Sequence, residues 1–186
     1  MKSVRMILAF AVSAIFVAAC NGTKDKRAGG PEFITGAEEV EDTTIYGRCG
    51  EGTAMHTLEL VTDKGDTLVL AVDTEDGEDV VRGGLLAGDR LAVTAFRNAD
   101  GEDVASRVLN LTTLLGTWTS IDRRFELQEG GAVVSNVTEP HPYTEWSIHN
   151  GRLVLSADTF DIYSLGPDSL CLENGKGIYA YRRMVK

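Results

Sequence analysis

Basic residues are scarce in this chain. Lysine and arginine total 18 against 28 aspartates and glutamates in 186 residues, which gives a formal net charge of −10 at pH 7. Such an acidic chain is repelled by the phosphate backbone of nucleic acids and by anionic lipid headgroups. The composition therefore excludes nucleic acid as a partner, and the acidic excess favours solubility or an attraction for cations.

Catalytic and metal-binding motifs are also missing. The three histidines match neither Cys-x-x-Cys nor His-Glu-x-x-His spacing, and no Gly-x-Ser-x-Gly occurs. Cys49, Met55 and His56 are soft ligands that would suit copper, although a polar loop explains them equally. The acidic residues within 73–79 would suit weak calcium binding or form a solvated loop. We therefore assign no catalytic residue, no metal site and no cofactor.

The apolar run near the start of the chain is too short to span a membrane. It covers about eleven residues, 7–17, whereas a transmembrane helix needs ~20. Lys2 and Arg5 precede this run, and small residues and a cysteine follow it. A charged start, a short apolar run and a small-residue cleavage site are typical of a secretory signal peptide. We predict that residues 1–19 form a signal peptide that is removed.

The end of this segment resembles the lipobox of bacterial lipoprotein signal peptides, and reads Val17-Ala18-Ala19-Cys20. The resemblance implies that Cys20 becomes the acylated first residue, whereas an ordinary secretory signal would carry this cysteine by chance. Asn21 stands where the enteric sorting rule has Asp for inner-membrane retention, which favours the outer membrane. We expect the protein to face the periplasm, held by a flexible tether over residues 20–42 that lacks apolar periodicity.

Short strands separated by turn signals follow the tether. Between residues 43 and 112 the segments rich in strand-forming residues are 43–49, 57–62, 67–72, 90–96 and 105–111. Five strands with an irregular connection after the third resemble an OB barrel, the oligonucleotide- and oligosaccharide-binding fold. The stretch over 88–93 is similar to the turn-to-strand entry of envelope OB-like domains. The resemblance implies an OB-like barrel domain over 43–112.

A second series of strands is predicted over residues 113–186. Its segments are 116–118, 125–127, 132–137, 144–149, 153–156, 160–165, 169–173 and 177–183. Asn150-Gly151 and Asn174-Gly175 separate apolar-alternating segments, which is the strongest short hairpin signal. No helix of ten residues fits this region, so the pattern predicts an antiparallel meander.

This region resembles the small lipocalin-like domains of lipoproteins from Gram-negative gut bacteria. The resemblance depends on four motifs: Gly116-Thr117-Trp118, Thr144-Glu145-Trp146-Ser147-Ile148, Gly151-Arg152-Leu153-Val154-Leu155 and Asp168-Ser169-Leu170-Cys171-Leu172. In that superfamily the first tryptophan closes one barrel end, and an arginine of the last strand packs across it. The resemblance implies that Arg182 or Arg183 contacts Trp118. The fold is thus expected to be all-β, with two small antiparallel barrel or meander domains, OB-like then lipocalin-like.

Aromatic residues and two cysteines supply the candidate site residues. Most aromatic residues of 113–186 either pack as the core of a small domain or line an apolar ligand pocket. The pocket candidates are Trp118, Tyr143, Trp146 and Tyr163. Cys49 and Cys171 lie in a compartment where disulfides persist, so they pair or stay as two free thiols.

Two functions of different classes follow from these observations. The first is a non-enzymatic, lipid-anchored envelope protein that binds a protein partner or a small apolar ligand. The domain pair resembles envelope-stress lipoproteins that join the same two domains in the opposite order and carry a Cys-x-x-Cys absent here. The alternative is an envelope glycan- or lipid-acting enzyme that uses an acid such as Glu145 beside Trp146.

Overall fold

The computed structural model describes residues 41–72, 79–135 and 140–184. The predicted signal peptide, Cys20 and residues 20–40 of the predicted tether lie outside these ranges, as does most of the acidic segment 73–79. Within them the protein is all-β apart from two short helical segments, and its strands form two separate sheets. The predicted fold class is therefore confirmed.

The first sheet contains six strands in the described residues. They are β1 (Ile45–Cys49), β2 (Thr57–Thr62), β3 (Thr67–Ala71), β4 (Val81–Arg82), β5 (Arg90–Arg97) and β6 (Asp103–Asn110). Five of these agree with the predicted strands to within about two residues at each end. The two-residue β4 was not predicted, and it lies in the connection after the third strand that the sequence indicates as irregular.

Strand pairing closes the first sheet into a barrel. The order is β3-β2-β1-β5-β6-β4, and a parallel pairing of Ala71 with Val104 joins β3 to β6. The other pairings among the five long strands are antiparallel. The first sheet is therefore barrel-like, and its resemblance to an OB barrel stays a prediction. Side chains on alternate positions of these strands fill its interior, including Leu58, Leu60 and Leu91, each with no exposed surface.

A short helix, α1 (Leu111–Leu114), separates the two sheets. The predicted strand 105–111 is wrong at its end, because Leu111 belongs to this helix. Asn110 caps it, since its side-chain oxygen accepts a hydrogen bond from the Thr113 N–H at 2.9 Å. The change from strand to helix near residue 111 lies close to the domain boundary predicted at 112/113.

The second sheet contains eight antiparallel strands in the described part of the chain. They are β7 (Gly116–Thr119), β8 (Arg124–Leu127), β9 (Val133–Ser135), β10 (Trp146–His149), β11 (Arg152–Leu155), β12 (Asp158–Leu165), β13 (Ser169–Asn174) and β14 (Gly177–Arg183). Their order is β10-β11-β12-β13-β14-β7-β8-β9. A bridge between Ala132 and Glu145 links the two edges, so the meander curls into a nearly closed barrel.

Each sheet has its own apolar core, and the second core continues into the first sheet. Leu109 of β6, together with Leu111 and Leu114 of α1, packs in the same buried cluster as Trp118 and Phe125. The described residues accordingly form one compact unit. The shared core fixes the two sheets against each other, so grooves between them are part of the folded structure.

The β10–β11 turn fastens the start of the first sheet. Asn150 has a positive φ of 49° and Gly151 one of 74°, as the predicted Asn-Gly hairpin requires. The Asn150 side chain accepts hydrogen bonds from the Thr43 N–H and hydroxyl at 2.8 and 2.9 Å, and donates one to the Glu41 carbonyl at 3.0 Å. This turn therefore holds the chain where it leaves the predicted tether.

Candidate functional site

Trp118 lies in the core of the second sheet and not in an open pocket. Its side chain has no exposed surface, and its Nε1–H donates to the Leu114 carbonyl at 2.8 Å. The Arg183 guanidinium stacks 4.2 Å from the ring centroid, so the predicted contact from the last strand is made by Arg183. That guanidinium also donates to the carbonyls of Leu115, at 2.7 Å, and Thr113. This arrangement links β14 to the segment between α1 and β7, so its role is structural.

Aromatic rings fill the interior around Tyr143. The ring of Tyr143, 8 % exposed, meets Phe125 edge to face at 5.6 Å and Phe160 at 6.4 Å. Phe125 in turn meets Tyr181 at 5.1 Å. Edge-to-face rings at these separations are the ordinary packing of an aromatic core. Tyr143 therefore serves as core.

The four aromatic residues predicted to form one pocket are not brought together. Tyr163 is 64 % exposed, and Trp146 is half-buried in a groove beside the first sheet. Alternation along β12 explains Tyr163, because Phe160 and Ile162 point inward and their neighbour therefore points outward. A register shift between Ile162 and Ser164 then returns Leu165 to the core.

The two described cysteines are free thiols. Cys49 is buried in β1 of the first sheet, whereas Cys171 is half-buried in β13 of the second. Of the two alternatives that the sequence left open, the structure therefore has the free thiols. Burial, with the nearby Glu173 carboxylate adding to it, raises the pKa of the Cys171 thiol. A raised pKa lowers the fraction of reactive thiolate near neutral pH.

The described residues contain no cluster of three or more His, Cys, Asp or Glu side chains that could hold a metal ion. The copper candidates illustrate why: Cys49 is 4 % exposed inside the barrel, whereas Met55 is 85 % exposed. In the same ranges, no helix has both the length and the apolar character needed to cross a membrane.

A cavity of about 420 Å³ opens at one end of the first barrel. Ile45 of β1 and Leu68 of β3 are half-buried and pack on the barrel core below them. Thr62, at the end of β2, is 9 % exposed and faces the same interior. We call this cavity the barrel mouth. Its size falls within the ~300–1,000 Å³ typical of small-molecule sites, and barrel mouths are among their usual places.

Charged residues of the β2–β3 turn form the rim of the barrel mouth. Asp63, Lys64 and Asp66 line the cavity and are exposed. The Asp63 carboxylate receives two hydrogen bonds from the Arg90 guanidinium, at 2.5 and 2.6 Å. These hydrogen bonds lower the pKa of Asp63, so this acid is ionised near neutral pH and paired with a cation. The barrel mouth thus combines an apolar wall with a polar, charge-paired rim.

A second groove of about 490 Å³ lies between the two sheets. Trp146 lines it from the second sheet, and Arg48 and Arg90 line it from the first. Asp89 and Glu129 add two carboxylates. We call it the junction groove. It places aromatic, basic and acidic groups in one concave surface.

The sequence predicts only part of these surfaces. It indicates Trp146 as a pocket residue but not Ile45, Thr62 or Leu68. The apolar residues at strand ends beside a short charged turn give only a weak signal for a barrel rim. The mouth forms only when β1, β2 and β3 pair in their observed register.

A scan of protein-family models, a search of curated proteins and a search of solved structures each found no match to this chain.

Proposed function

We propose that this protein is a lipid-anchored, non-enzymatic protein of the bacterial cell envelope that binds a small apolar ligand in the barrel mouth. The resemblance of residues 17–20 to a lipobox supports acylation of Cys20, and Asn21 favours the outer membrane, with the protein facing the periplasm. Two or three acyl chains would hold it stably, because each buried methylene contributes ~0.8 kcal/mol.

The observation that carries the binding proposal is the apolar wall of the barrel mouth. Leu68 and Ile45 leave part of their apolar surface open where the interior core ends. Apolar surface removed from water contributes ~25 cal/mol per Å², so a ligand burying about 250 Å² gains roughly 6 kcal/mol. A gain of 6 kcal/mol alone corresponds to a Kd of about 40 μM, and the cost of association weakens the expected Kd to the millimolar range.

Alternation along β3 offers a matched pair of variants for the test. Leu68 points into the barrel mouth, whereas its neighbour Val69 points outward and is 63 % exposed. We expect N-phenyl-1-naphthylamine, an apolar fluorophore, to brighten and saturate on addition of the protein. Leu68→Glu should weaken this binding at least tenfold, because it places a charge in the apolar wall. Val69→Glu should leave it unchanged, and equal effects of the two variants would contradict the proposal.

The anchor is tested separately. Metabolically supplied labelled palmitate should appear on the wild-type protein and not on Cys20→Ser, which keeps the rest of the chain. Palmitate on both proteins, or on neither, would refute acylation at Cys20. The result of the fluorophore experiment on the barrel mouth does not depend on this outcome.

The enzyme alternative has weaker support. Glu145 is exposed, and alternation along the chain sends its side chain to the opposite face from Trp146. Its carbonyl accepts a hydrogen bond from the Ser156 N–H at 2.9 Å, a structural contact at the barrel edge. Turnover of a peptidoglycan or glycan panel that is lost in Glu145→Gln would favour the enzyme over the binding protein.

A further inference from the structure

The junction groove differs from the barrel mouth in having a tryptophan in its lining. Its aromatic side chain, Trp146, is the first residue of β10, and it is half-buried against the second core. The indole Nε1–H donates to the Gln128 carbonyl at 2.8 Å, which fixes the orientation of the ring. An indole held in this way presents a fixed surface to the groove and loses little freedom when a ligand stacks on it.

The charged groups around the ring balance one another. Arg48 donates to the Gly88 carbonyl at 3.0 Å, and Asp89 accepts from the Asn110 amide at 2.6 Å. With Arg90 and Glu129 the lining holds two cations and two anions. The sum of these formal charges is zero, and the whole chain carries a net charge of −10, so an anionic ligand gains no long-range attraction here.

A wholly apolar ligand is also a poor match for the junction groove. It would cover guanidinium and carboxylate groups without replacing their hydrogen bonds to water, which is costly. A ligand that suits the groove therefore needs one apolar face for Trp146 and an edge of neutral donors and acceptors for Arg48 and Glu129. Carboxylates accept hydrogen bonds from hydroxyl groups, and guanidinium groups donate to them.

We propose that the junction groove binds a neutral sugar ring, a pyranoside whose C–H face stacks on Trp146 while its hydroxyls bond to Glu129 and Arg48. The volume of about 490 Å³ is within the usual range for small-molecule sites. This site is separate from the barrel mouth and requires no bond cleavage. Its test is therefore independent of the test of the proposed function.

Saturation-transfer NMR on the full-length protein tests the proposal. The detergent must lack a sugar headgroup, for which a zwitterionic amine oxide is suitable. The probes are the neutral methyl pyranosides of glucose, galactose, mannose and N-acetylglucosamine, with methyl glucuronide as the charged comparison. We expect saturation of the ring protons of at least one neutral glycoside and weaker saturation of the glucuronide.

Three variants assign the signal to the groove. Glu129→Gln should weaken binding about three- to tenfold, because it replaces a charged acceptor with a neutral one. Trp146→Phe should weaken it about two- to fivefold, since a smaller ring remains available for stacking. Glu145→Gln is the matched control, since it removes a neighbouring exposed carboxylate that faces away from the ring, and it should bind as the wild type does.

The absence of saturation transfer to every neutral glycoside at millimolar concentration would overturn the proposal. It is equally overturned by transfer that Glu129→Gln and Trp146→Phe leave unchanged while circular dichroism shows both variants folded. Glu129 is exposed, so its replacement should not disturb folding.

Discussion

The hydrogen bonds of Asn150 predict a large effect for a small surface substitution. Asn150→Ala removes three side-chain hydrogen bonds to residues 41 and 43. It also places alanine at a φ of 49°, a conformation that asparagine tolerates better than residues with an apolar side chain. The substitution therefore disturbs both the β10–β11 turn and the fastening of the first sheet to it.

The expected magnitude follows from these two effects. Exposed hydrogen bonds contribute about 0.5 kcal/mol each at the low end of their range, so three contribute about 1.5 kcal/mol. The left-handed backbone adds about 1 kcal/mol for alanine. We expect Asn150→Ala to lower the free energy of unfolding by about 2–3 kcal/mol, measured by urea denaturation, and to lower Tm by roughly 5–10 °C.

Asn174→Ala is the matched control for this experiment. Asn174 also precedes a glycine in a hairpin turn, but its Oδ1 accepts only the local Lys176 N–H, at 2.9 Å, among the hydrogen bonds described, and its φ is negative. Its replacement should cost less than about 1 kcal/mol. Equal losses of stability in the two variants would refute the role assigned to Asn150.

Three further predictions concern the second sheet and the thiols. Arg183→Met should lower the free energy of unfolding by about 3 kcal/mol in urea denaturation, because it removes the cation over Trp118 and the donors to several carbonyl groups. Burial raises the pKa of Asp161, but hydrogen bonds from Arg107 and Arg152 outweigh this effect and hold the pKa below its usual range. The ionised Asp161 stabilises the fold above the pKa that it has in the unfolded chain, and this stabilisation is lost as the pH falls through its pKa in the folded protein. Between pH 5 and 3 the free energy of unfolding should therefore fall more in the wild type than in Asp161→Asn. In Ellman titrations at pH 7, the Cys171 and Cys49 thiols should react slowly in the native protein and quickly in denaturant, and reaction of neither thiol in non-reducing denaturant would reveal a disulfide.

Local patterns in the sequence predicted most strands because alternation and turn residues act over a few positions. The segment 57–62 and the segment 177–183 match β2 and β14 at both ends. The Asn-Gly turn at 150–151 has the positive φ angles that its residues favour. These features depend on backbone sterics and on burial of one face, both of which are readable from neighbouring residues.

Features that depend on distant pairings could not be derived in this way. Nothing local to Ala71 or Val104 indicates that they pair, yet that contact closes the first barrel. The junction groove likewise exists only because the first residues of β5 and β10, Arg90 and Trp146, line one surface. The outward position of Tyr163, by contrast, could have been predicted locally. Strict alternation from the buried Phe160 already sends the Tyr163 side chain outward.

The position of a bound apolar probe tests the central claim most directly. A crystal structure of the protein with N-phenyl-1-naphthylamine should show the fluorophore in the barrel mouth, in contact with Ile45 and Leu68 and below the Asp63 rim. Density for the probe elsewhere, with the mouth closed by its own side chains, would contradict the account.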